Sequence, residues 1–597
     1  MLRIPPLLVC ALLAQACSDG AKGPDVPACT TAAPQALQQC VAEIGVAIAD
    51  CYEGTGRACP KDDPATAGAL GALAVAVEAS CADGDFDGLS TASVVGRLQN
   101  ACQSNADSVG WRTWGGPQGA VLADATEEER TCLAETHATA RDFMDAELET
   151  ISACLATNTC EPETVARERE GLADVARAAI AASCPEEELA ALIAVDAAVY
   201  VERASHRVDC LIATGHTETA GVELGCGPSN VDFEAPRGEW TRIEVDGGKW
   251  NTLCGDGSPF SFWIRPAPEG NPLDRVLIGL QGGGICVFGE DCSLRFDANP
   301  GLFTAEDDLP LGSGIASDDP AESPFANWTK IYVPYCNQDV FTGGGVFEEF
   351  PEITVPRFGG NNLRATVGMT QDWLWNELDR AGDPGYRPDE VVVLFGGWSA
   401  GAYGAMYNYT WLTDEILWQQ TIGFPDAGQG LDNGELVGVY GLGLVKIPAW
   451  GVQSFLPPYC FDAECAIGPN LYRALSPRLL QVPRQQMLIL SNQKDLTQQR
   501  DAYFFDEAFW MNTQRESYCE TRDLPGIHYY YTSTSDESIH VVTLRPDYWE
   551  GEVAGQTMKD WFVQAVDAPE TLVDRVEEGD FVTAVPGTLP FPCEVAP

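Results

Sequence analysis

The chain has 597 residues, more than one hydrophobic core usually organises, so its length predicts two or more domains. Apolar residues make up 45% of the chain, which suits packed domains and excludes wholesale disorder. The formal net charge of -53 excludes nucleic acid as a partner, because phosphate binding needs clustered Lys and Arg.

The amino-terminal residues have the features of an export signal. One early Arg, a short apolar stretch and small residues precede Cys17, and the apolar stretch is too short to span a bilayer. The segment LAQAC resembles a bacterial lipobox, in which Cys17 would carry the lipid; cleavage without lipid is the alternative. We expect a signal peptide at 1–16, a tether at 17–27, and an exported protein that is either an envelope lipoprotein attached to the membrane or extracellular.

Cysteine usage agrees with export. The chain has 22 cysteines, of which Cys10 and Cys17 fall in the targeting segment, and the other 20 form an even number, as in disulfide-bonded exported proteins. The number of cysteines is also even within each half of the chain, so we expect every disulfide to join two cysteines of the same half. CxxC pairs are absent and only 5 His are present, so we expect no metal site.

Residues 28–226 predict an all-α, disulfide-rich domain. They are rich in Ala, Glu and Cys, with apolar residues at helical spacing. ALAVAVEASC and DVARAAIAASC occupy equivalent places in two cysteine patterns, which indicates two tandem modules connected by GWRTWGGPQGA (110–120). Chance similarity between Ala-rich segments is the alternative. The sequence does not choose between a spacer, a substrate-binding module and a chaperone for the second half.

From residue 232 the pattern changes to short β-rich runs that alternate with helical stretches. Such alternation predicts an α/β-hydrolase-like domain at 232–597, with a mostly parallel sheet and helices on both faces. Catalytic groups then belong on loops beyond the carboxyl ends of the strands. The predicted strands are DRVLIGLQ (274–281), TKIYVPYC (329–336), EVVVLFGG (390–397) and QMLILSN (486–492).

The nucleophile candidate is Ser399. The run EVVVLF leads into GGWSAG, and a helical stretch follows. A GxSxG motif between strand and helix is the nucleophile elbow of ester hydrolases. The turn presents the Ser hydroxyl, and the helix amino terminus favours the negative charge that develops there. A Ser in an ordinary Gly-rich turn is the alternative.

A serine nucleophile needs a base and an orienting carboxylate, which follow it along the chain in this fold. His540 follows a polar loop, whereas His528 lies in a strand-like run, so His540 is the better base. Asp495 comes directly off a predicted strand and is the better acid, with Asp426 as the second choice.

The oxyanion of the tetrahedral intermediate needs N–H donors. The run QGGGIC follows a predicted strand, much as the glycine loop of esterases does. The N–H groups of Gly283, Gly284 and Ala400 would form the oxyanion hole. A phosphate-binding loop is the alternative, but GxxxxGK[ST] is absent and the loop lacks positive charge.

These motifs resemble the pectin acetylesterases and the related Notum carboxylesterases over about residues 240–545. The resemblance implies Ser399, Asp495 and His540 as the triad, and the oxyanion donors named above. The chain departs from the family pattern at Ile285 and Ala402, which puts the acyl-group preference in doubt. The segments that carry the resemblance are LCGDGSPFSFWI, LIGLQGGGICVFGEDC, FANWTKIYVPYCNQDVFTGG, GGWSAGAYGA, DAGQGLDN and LSNQKDLTQQ.

Taken with the resemblance, the sequence predicts a secreted or surface-anchored serine carboxylic ester hydrolase. The expected substrate is an acylated polysaccharide such as pectin, and no metal or organic cofactor is implied. A bond between Cys286 and Cys292 would close a small loop behind the oxyanion glycines. The alternatives are an esterase or lipase-like enzyme for longer acyl chains or acylated protein, and a non-catalytic surface binding protein on a hydrolase scaffold.

Overall fold

The structure is a computed structural model of the chain. The predicted signal peptide, the tether and Cys17 lie outside its described residues. No helix within those residues is both long enough and apolar enough to cross a bilayer. The described residues are 28–60, 62–306, 308–416, 418–431, 449–451, 457–460, 465, 467–480, 484–499, 507–533, 539–577 and 593.

The amino-terminal half is helical, as its sequence predicts. Polar caps begin several helices: the side chains of Ser90, Thr126 and Asp196 each accept a backbone N–H of the first turn that follows. All seven helices contribute to one hydrophobic core. The helices are α1 Ala28–Thr55, α2 Pro64–Ser80, α3 Thr91–Trp114, α4 Glu127–Thr157, α5 Pro162–Ser183, α6 Glu186–Ile193 and α7 Ala197–Gly215.

The disulfides of this half repeat in spacing. Cys29–Cys81 and Cys132–Cys184 each join residues 52 apart. Each of these spans contains a second bond that closes a short loop, Cys51–Cys59 in the first and Cys154–Cys160 in the second. This repeat supports the proposal of two tandem modules. The segment GWRTWGGPQGA differs from the expected connection, because Gly110–Trp114 forms the buried end of α3. Its two Trp side chains pack in the interior rather than in a linker.

The carboxyl-terminal half contains the predicted mostly parallel sheet. Its nine strands run in the order β1-β2-β4-β3-β7-β8-β9-β10-β13, and every pairing from β4 to β13 is parallel. The strands are β1 Thr241–Glu244, β2 Ser261–Arg265, β3 Arg275–Leu280, β4 Thr329–Val333, β5 Val346–Glu349, β6 Thr354–Arg357, β7 Val392–Trp398, β8 Gln420–Asp426, β9 Gln486–Asn492, β10 Ile527–Thr532, β11 Glu552–Val553, β12 Gln556–Thr557 and β13 Arg575–Val576.

Helices cover both faces of this sheet. Alternate side chains of β7 enter different cores: Val393 and Phe395 pack on one face, and Val392 and Leu394 on the other. This explains why β7 is a continuous apolar run in the sequence. The described helices are α8 Gly247–Trp250, α9 Gly289–Ala298, α10 Gly359–Ala381, α11 Ala400–Glu415, α12 Gly468–Leu479, α13 Leu496–Gln499, α14 Glu507–Thr521, α15 Pro546–Trp549 and α16 Met558–Asp567.

Disulfide pairing closes within each half, as the even cysteine counts predict. The helical half has six bonds and the sheet half four, among them the predicted bond between Cys286 and Cys292. The two halves are joined by non-covalent contacts between α3 and α7 on one side and α10 and α11 on the other. Arg97 pairs with Asp379, and Arg207 with Glu415.

Candidate active site

Ser399 lies at the sharp turn between β7 and α11. Its φ of 58° and ψ of -118° place a non-glycine residue in a strained backbone conformation, as the nucleophile elbow requires. The flanking glycines are needed for space. A Cβ on Gly397 would lie 2.3 Å from the carbonyl oxygen of Gly401, and a Cβ on Gly401 would lie 2.2 Å from that of Leu280.

Asp495 and His540 are brought together from loops 45 residues apart. The Nδ1 of His540 lies 2.7 Å from the Oδ2 of Asp495, which is fully buried. The Asp495 carboxylate also accepts the backbone N–H groups of Thr497 (3.0 Å) and Gln498 (3.2 Å), so its orientation is fixed. The Nε2 of His540 is buried and has no hydrogen-bond partner among the described residues, which suits a proton acceptor.

Asp426 connects Ser399 to the segment that follows His540. Its backbone carbonyl accepts the N–H of Ser399 at 3.0 Å. Its buried carboxylate accepts the N–H groups of Val542 (3.0 Å) and Thr543 (2.7 Å), and the Thr543 hydroxyl at 2.7 Å. Burial raises the pKa of Asp426 to about 6. Asp426 therefore holds the loop that carries His540, while Asp495 contacts the imidazole itself.

Backbone strain recurs beside His540. Val541 has a φ of 69°, a rare conformation for a β-branched residue. The Nε1–H of Trp398 donates to the Thr543 hydroxyl at 2.8 Å, so the residue before Ser399 is bonded directly to the segment that follows His540. Strain of this kind persists only where surrounding contacts enforce it, as they do at functional sites.

The glycine loop lies against Ser399. A Cβ on Gly282 would be 3.0 Å from the Cβ of Ser399, so the loop passes the serine at van der Waals distance. Within the described part of the chain, the N–H groups of Gly283, Gly284 and Ala400 donate no hydrogen bond. Donors that the fold leaves unused beside a nucleophile suit an oxyanion hole.

Arg357 supports this loop from behind. It is fully buried and donates through Nη2 to the carbonyl of Cys286 at 3.0 Å. Its Nη1 donates to the carbonyls of Asn337 and Gln338, at 3.1 and 3.0 Å. An ion pair with Glu348 at 2.7 Å compensates its buried charge. One guanidinium group thus fixes the disulfide loop relative to the chain after β4.

The residues that the sequence offered as the alternative base and the alternative acid have other partners in the structure. His528 lies in β10, as its sequence context indicates, with its Nδ1 3.8 Å from Asp574 rather than at Asp495. Asp426 is close to the site but bonds backbone groups instead of the imidazole. The sequence analysis missed Arg357 and Thr543, whose contacts join residues 71 and 117 positions apart. The chain order alone carries no signal for such contacts.

Comparison with known proteins shows to which family this chain belongs. Residues 243–445, which include Ser399 and the glycine loop, match the family model described as Pectinacetylesterase. An inactive palmitoleoyl-protein carboxylesterase, notum1b of Danio rerio, is 33% identical over 96 residues, covering 16% of this chain and 67% of that protein. The chain belongs to the pectinacetylesterase family.

Two further relatives show the range of the family. The palmitoleoyl-protein carboxylesterase NOTUM of Homo sapiens is 29% identical over 194 residues, which cover 31% of this chain and 35% of NOTUM. Pectin acetylesterase 4 of Arabidopsis thaliana is 32% identical over 93 residues, which cover 15% of this chain and 22% of the relative. The chain thus spans about a third of the length of the Notum proteins that it matches at greatest length. The residues matched by the family model include neither Asp495 nor His540.

Proposed function

We propose that this protein is an exported serine carboxylic ester hydrolase that removes acetyl or other acyl groups from a polysaccharide such as pectin. The observation that carries the proposal is the Asp495–His540 contact of 2.7 Å, tied through Asp426 to Ser399 at its elbow. Membership of the pectinacetylesterase family and the name of the Arabidopsis relative support the acetyl ester.

The chemistry follows from the roles of three side chains. His540 takes the proton of Ser399 through Nε2 as the Oγ attacks the ester carbonyl carbon, and Asp495 stabilises the imidazolium through Nδ1. The N–H groups of Gly283, Gly284 and Ala400 hold the oxyanion. The tetrahedral intermediate collapses, and His540 protonates the leaving alcohol. Water, activated in the same way, then releases the acid from Ser399.

The test is hydrolysis of p-nitrophenyl esters of increasing acyl length by the full-length protein. We expect kcat/KM to be greatest for acetate and to fall as the chain lengthens. Release of acetate from acetylated pectin then tests the polysaccharide. No turnover of any ester by a folded sample would contradict the proposal.

A second candidate is removal of a longer acyl group, including one on a protein. It is supported by the names of the Notum relatives, which are palmitoleoyl-protein carboxylesterases. A kcat/KM optimum at octanoate or beyond would favour it. The third candidate, a binding protein without catalysis, has a precedent in the relative named as inactive. Binding of an ester without its hydrolysis would favour that candidate.

Export is supported by ten disulfides, which form in oxidising compartments. We propose further that Cys17 is lipidated and that the helical half holds the enzyme away from the membrane. A lipidated amino terminus would carry several acyl chains, which anchor a protein stably where a single chain is marginal. In a bacterial host, the wild type is expected in the membrane fraction and Cys17→Ser in the soluble fraction. A soluble wild type with an unmodified amino-terminal peptide in mass spectrometry would contradict the anchor and leave the esterase proposal intact.

A further inference from the structure

An open polar cleft lies between the two halves of the protein, away from Ser399. It is formed by α3 and α7 of the helical half, and by α10 and the end of α11 of the sheet half. The proposed ester chemistry uses none of these surfaces. Two adjoining depressions make up the cleft, and Arg207 and Glu415 line both of them.

One end of the cleft is basic. Arg203 and Arg207 approach the single carboxylate of Glu415, at 3.6 and 3.3 Å, and Arg112 lines the same depression. Two guanidinium groups thus share one carboxylate in a chain whose net charge is -53. The acidic surface elsewhere repels anions, whereas a carboxylate entering here gains charge-assisted hydrogen bonds.

The other end offers uncharged hydrogen-bonding groups. The side chains of Asn100, Ser104 and Gln371 are partly exposed, and none of them forms a hydrogen bond within the described part of the chain. The rings of Trp375 and Tyr386 line the same end and are stacked on each other, with centroids 5.2 Å apart. Amide and hydroxyl groups in a cleft that is also lined by aromatic rings suit a ligand that carries several hydroxyls on an apolar ring.

We propose that this cleft binds an acidic sugar unit of the polysaccharide substrate, with its carboxylate at Arg203 and Arg207 and its hydroxyls at Asn100, Ser104 and Gln371. The inference rests on the proposed function, since it assumes a polysaccharide substrate. It makes the helical half a substrate-binding module. It also explains how so acidic a protein retains a substrate of its own charge sign.

The cleft is remote from the reacting ester. Glu415 and Ser399 lie at opposite ends of α11, whose 16 residues span roughly 24 Å at ~1.5 Å per residue. The sugar held in the cleft is therefore a different unit of the polymer from the one that loses its acyl group. Holding one unit raises the effective concentration of the neighbouring esters at Ser399.

The test is calorimetric titration of the wild-type full-length protein with a tetragalacturonate that carries no esters. Because this ligand cannot be hydrolysed, its binding is measured independently of catalysis. We expect binding of tetragalacturonate and none of a neutral tetrasaccharide. Arg203→Gln should raise the Kd about tenfold, as should the double variant Asn100→Ala/Gln371→Ala. The control is Arg167→Gln, an exposed charge on α5, which should leave the Kd unchanged.

Two results would overturn the inference: equal affinity for the neutral tetrasaccharide, or an unchanged Kd in both cleft variants. Thermal unfolding monitors whether Arg203→Gln disturbs the contact between the halves. The double variant removes partly exposed side chains without structural bonds, so it keeps the test valid. Hydrolysis of p-nitrophenyl acetate and release of acetate from acetylated pectin by the wild type test the proposed function separately, so its failure is distinguishable from failure of the cleft to bind tetragalacturonate.

Discussion

Two buried carboxylates of the candidate active site, Asp495 and Asp426, have different partners, and this predicts different effects when each is replaced. Asp495 contacts the imidazole of His540, so Asp495→Asn should misorient the base and lower kcat by about 10³–10⁴-fold. Asp426→Asn loses acceptors for the backbone of Val542 and Thr543, and we expect a loss of about tenfold. Steady-state kinetics at one substrate ester measures both. The reverse ranking would mean that the acid is assigned wrongly.

The pH dependence of kcat tests whether Asp426 acts by holding the loop of His540 in position or whether its replacement damages the fold in general. Burial raises the pKa of Asp426 to about 6, so below that pH a proton occupies an oxygen that accepts hydrogen bonds from the loop of His540. The wild type should therefore lose kcat more steeply below pH 6 than Asp426→Asn does, because the variant has no carboxyl to protonate. Profiles of equal steepness would contradict the role.

At the scale of the elements, disulfides of different loop length separate stability from activity. Cys286–Cys292 closes a loop of 6 residues beside the oxyanion glycines, whereas Cys29–Cys81 closes one of 52 in the helical half. Loop entropy predicts that replacing both cysteines by Ser costs about 2 kcal/mol in the first pair and about 4 kcal/mol in the second.

Activity should show the opposite order. Loss of Cys286–Cys292 frees the glycine loop and should lower kcat by about tenfold, while loss of Cys29–Cys81 should leave the kcat of the folded fraction unchanged. Urea unfolding and kinetics on the same samples measure the two effects. A larger kcat loss in the Cys29–Cys81 variant would contradict a positioning role for the loop.

The elements most accurately predicted were those with local signals. The apolar runs of β3, β4, β7 and β9 and the GxSxG turn are visible in a few consecutive residues, and the structure has strands at all four places. The even cysteine counts of the two halves also predicted closed pairing. What could not be predicted are contacts between distant residues, such as Arg357 with Cys286 and Asp426 with Thr543. The packing of the helical half on α10 and α11 could not be predicted either, because it also joins residues that are distant in the chain.

At the scale of the whole molecule, the junction of the two halves contains a buried carboxyl that makes stability depend on pH. Asp372 of α10 accepts the N–H of Gly227 at 2.6 Å, and burial raises its pKa to about 7. Its pKa in the folded state lies above the ordinary value of an aspartate, so the folded state binds the proton more tightly than the unfolded state. The stability that this adds at low pH is therefore lost as the pH rises towards 7.

Asp372→Asn should remove that dependence and still offer an acceptor to Gly227. From pH 5 to pH 8, the free energy of unfolding should fall by about 2–3 kcal/mol less in the variant than in the wild type. Urea titrations at the two pH values measure this difference. Asp567→Asn, at an exposed helix end, is the matched control and should follow the wild type. The same fall in Asp372→Asn as in the control would contradict the assignment.

The central claim is that Ser399 is the nucleophile, and covalent labelling tests it most directly. A fluorophosphonate probe should label the full-length wild type at one site, and mass spectrometry should place the adduct on the peptide that contains Ser399. Ser399→Ala, with an unchanged circular dichroism spectrum, should not be labelled, because Ser399 is the only serine among the described residues with a positive φ at a strand-to-helix turn. Labelling that persists in Ser399→Ala, or an adduct on a different peptide, would contradict the claim.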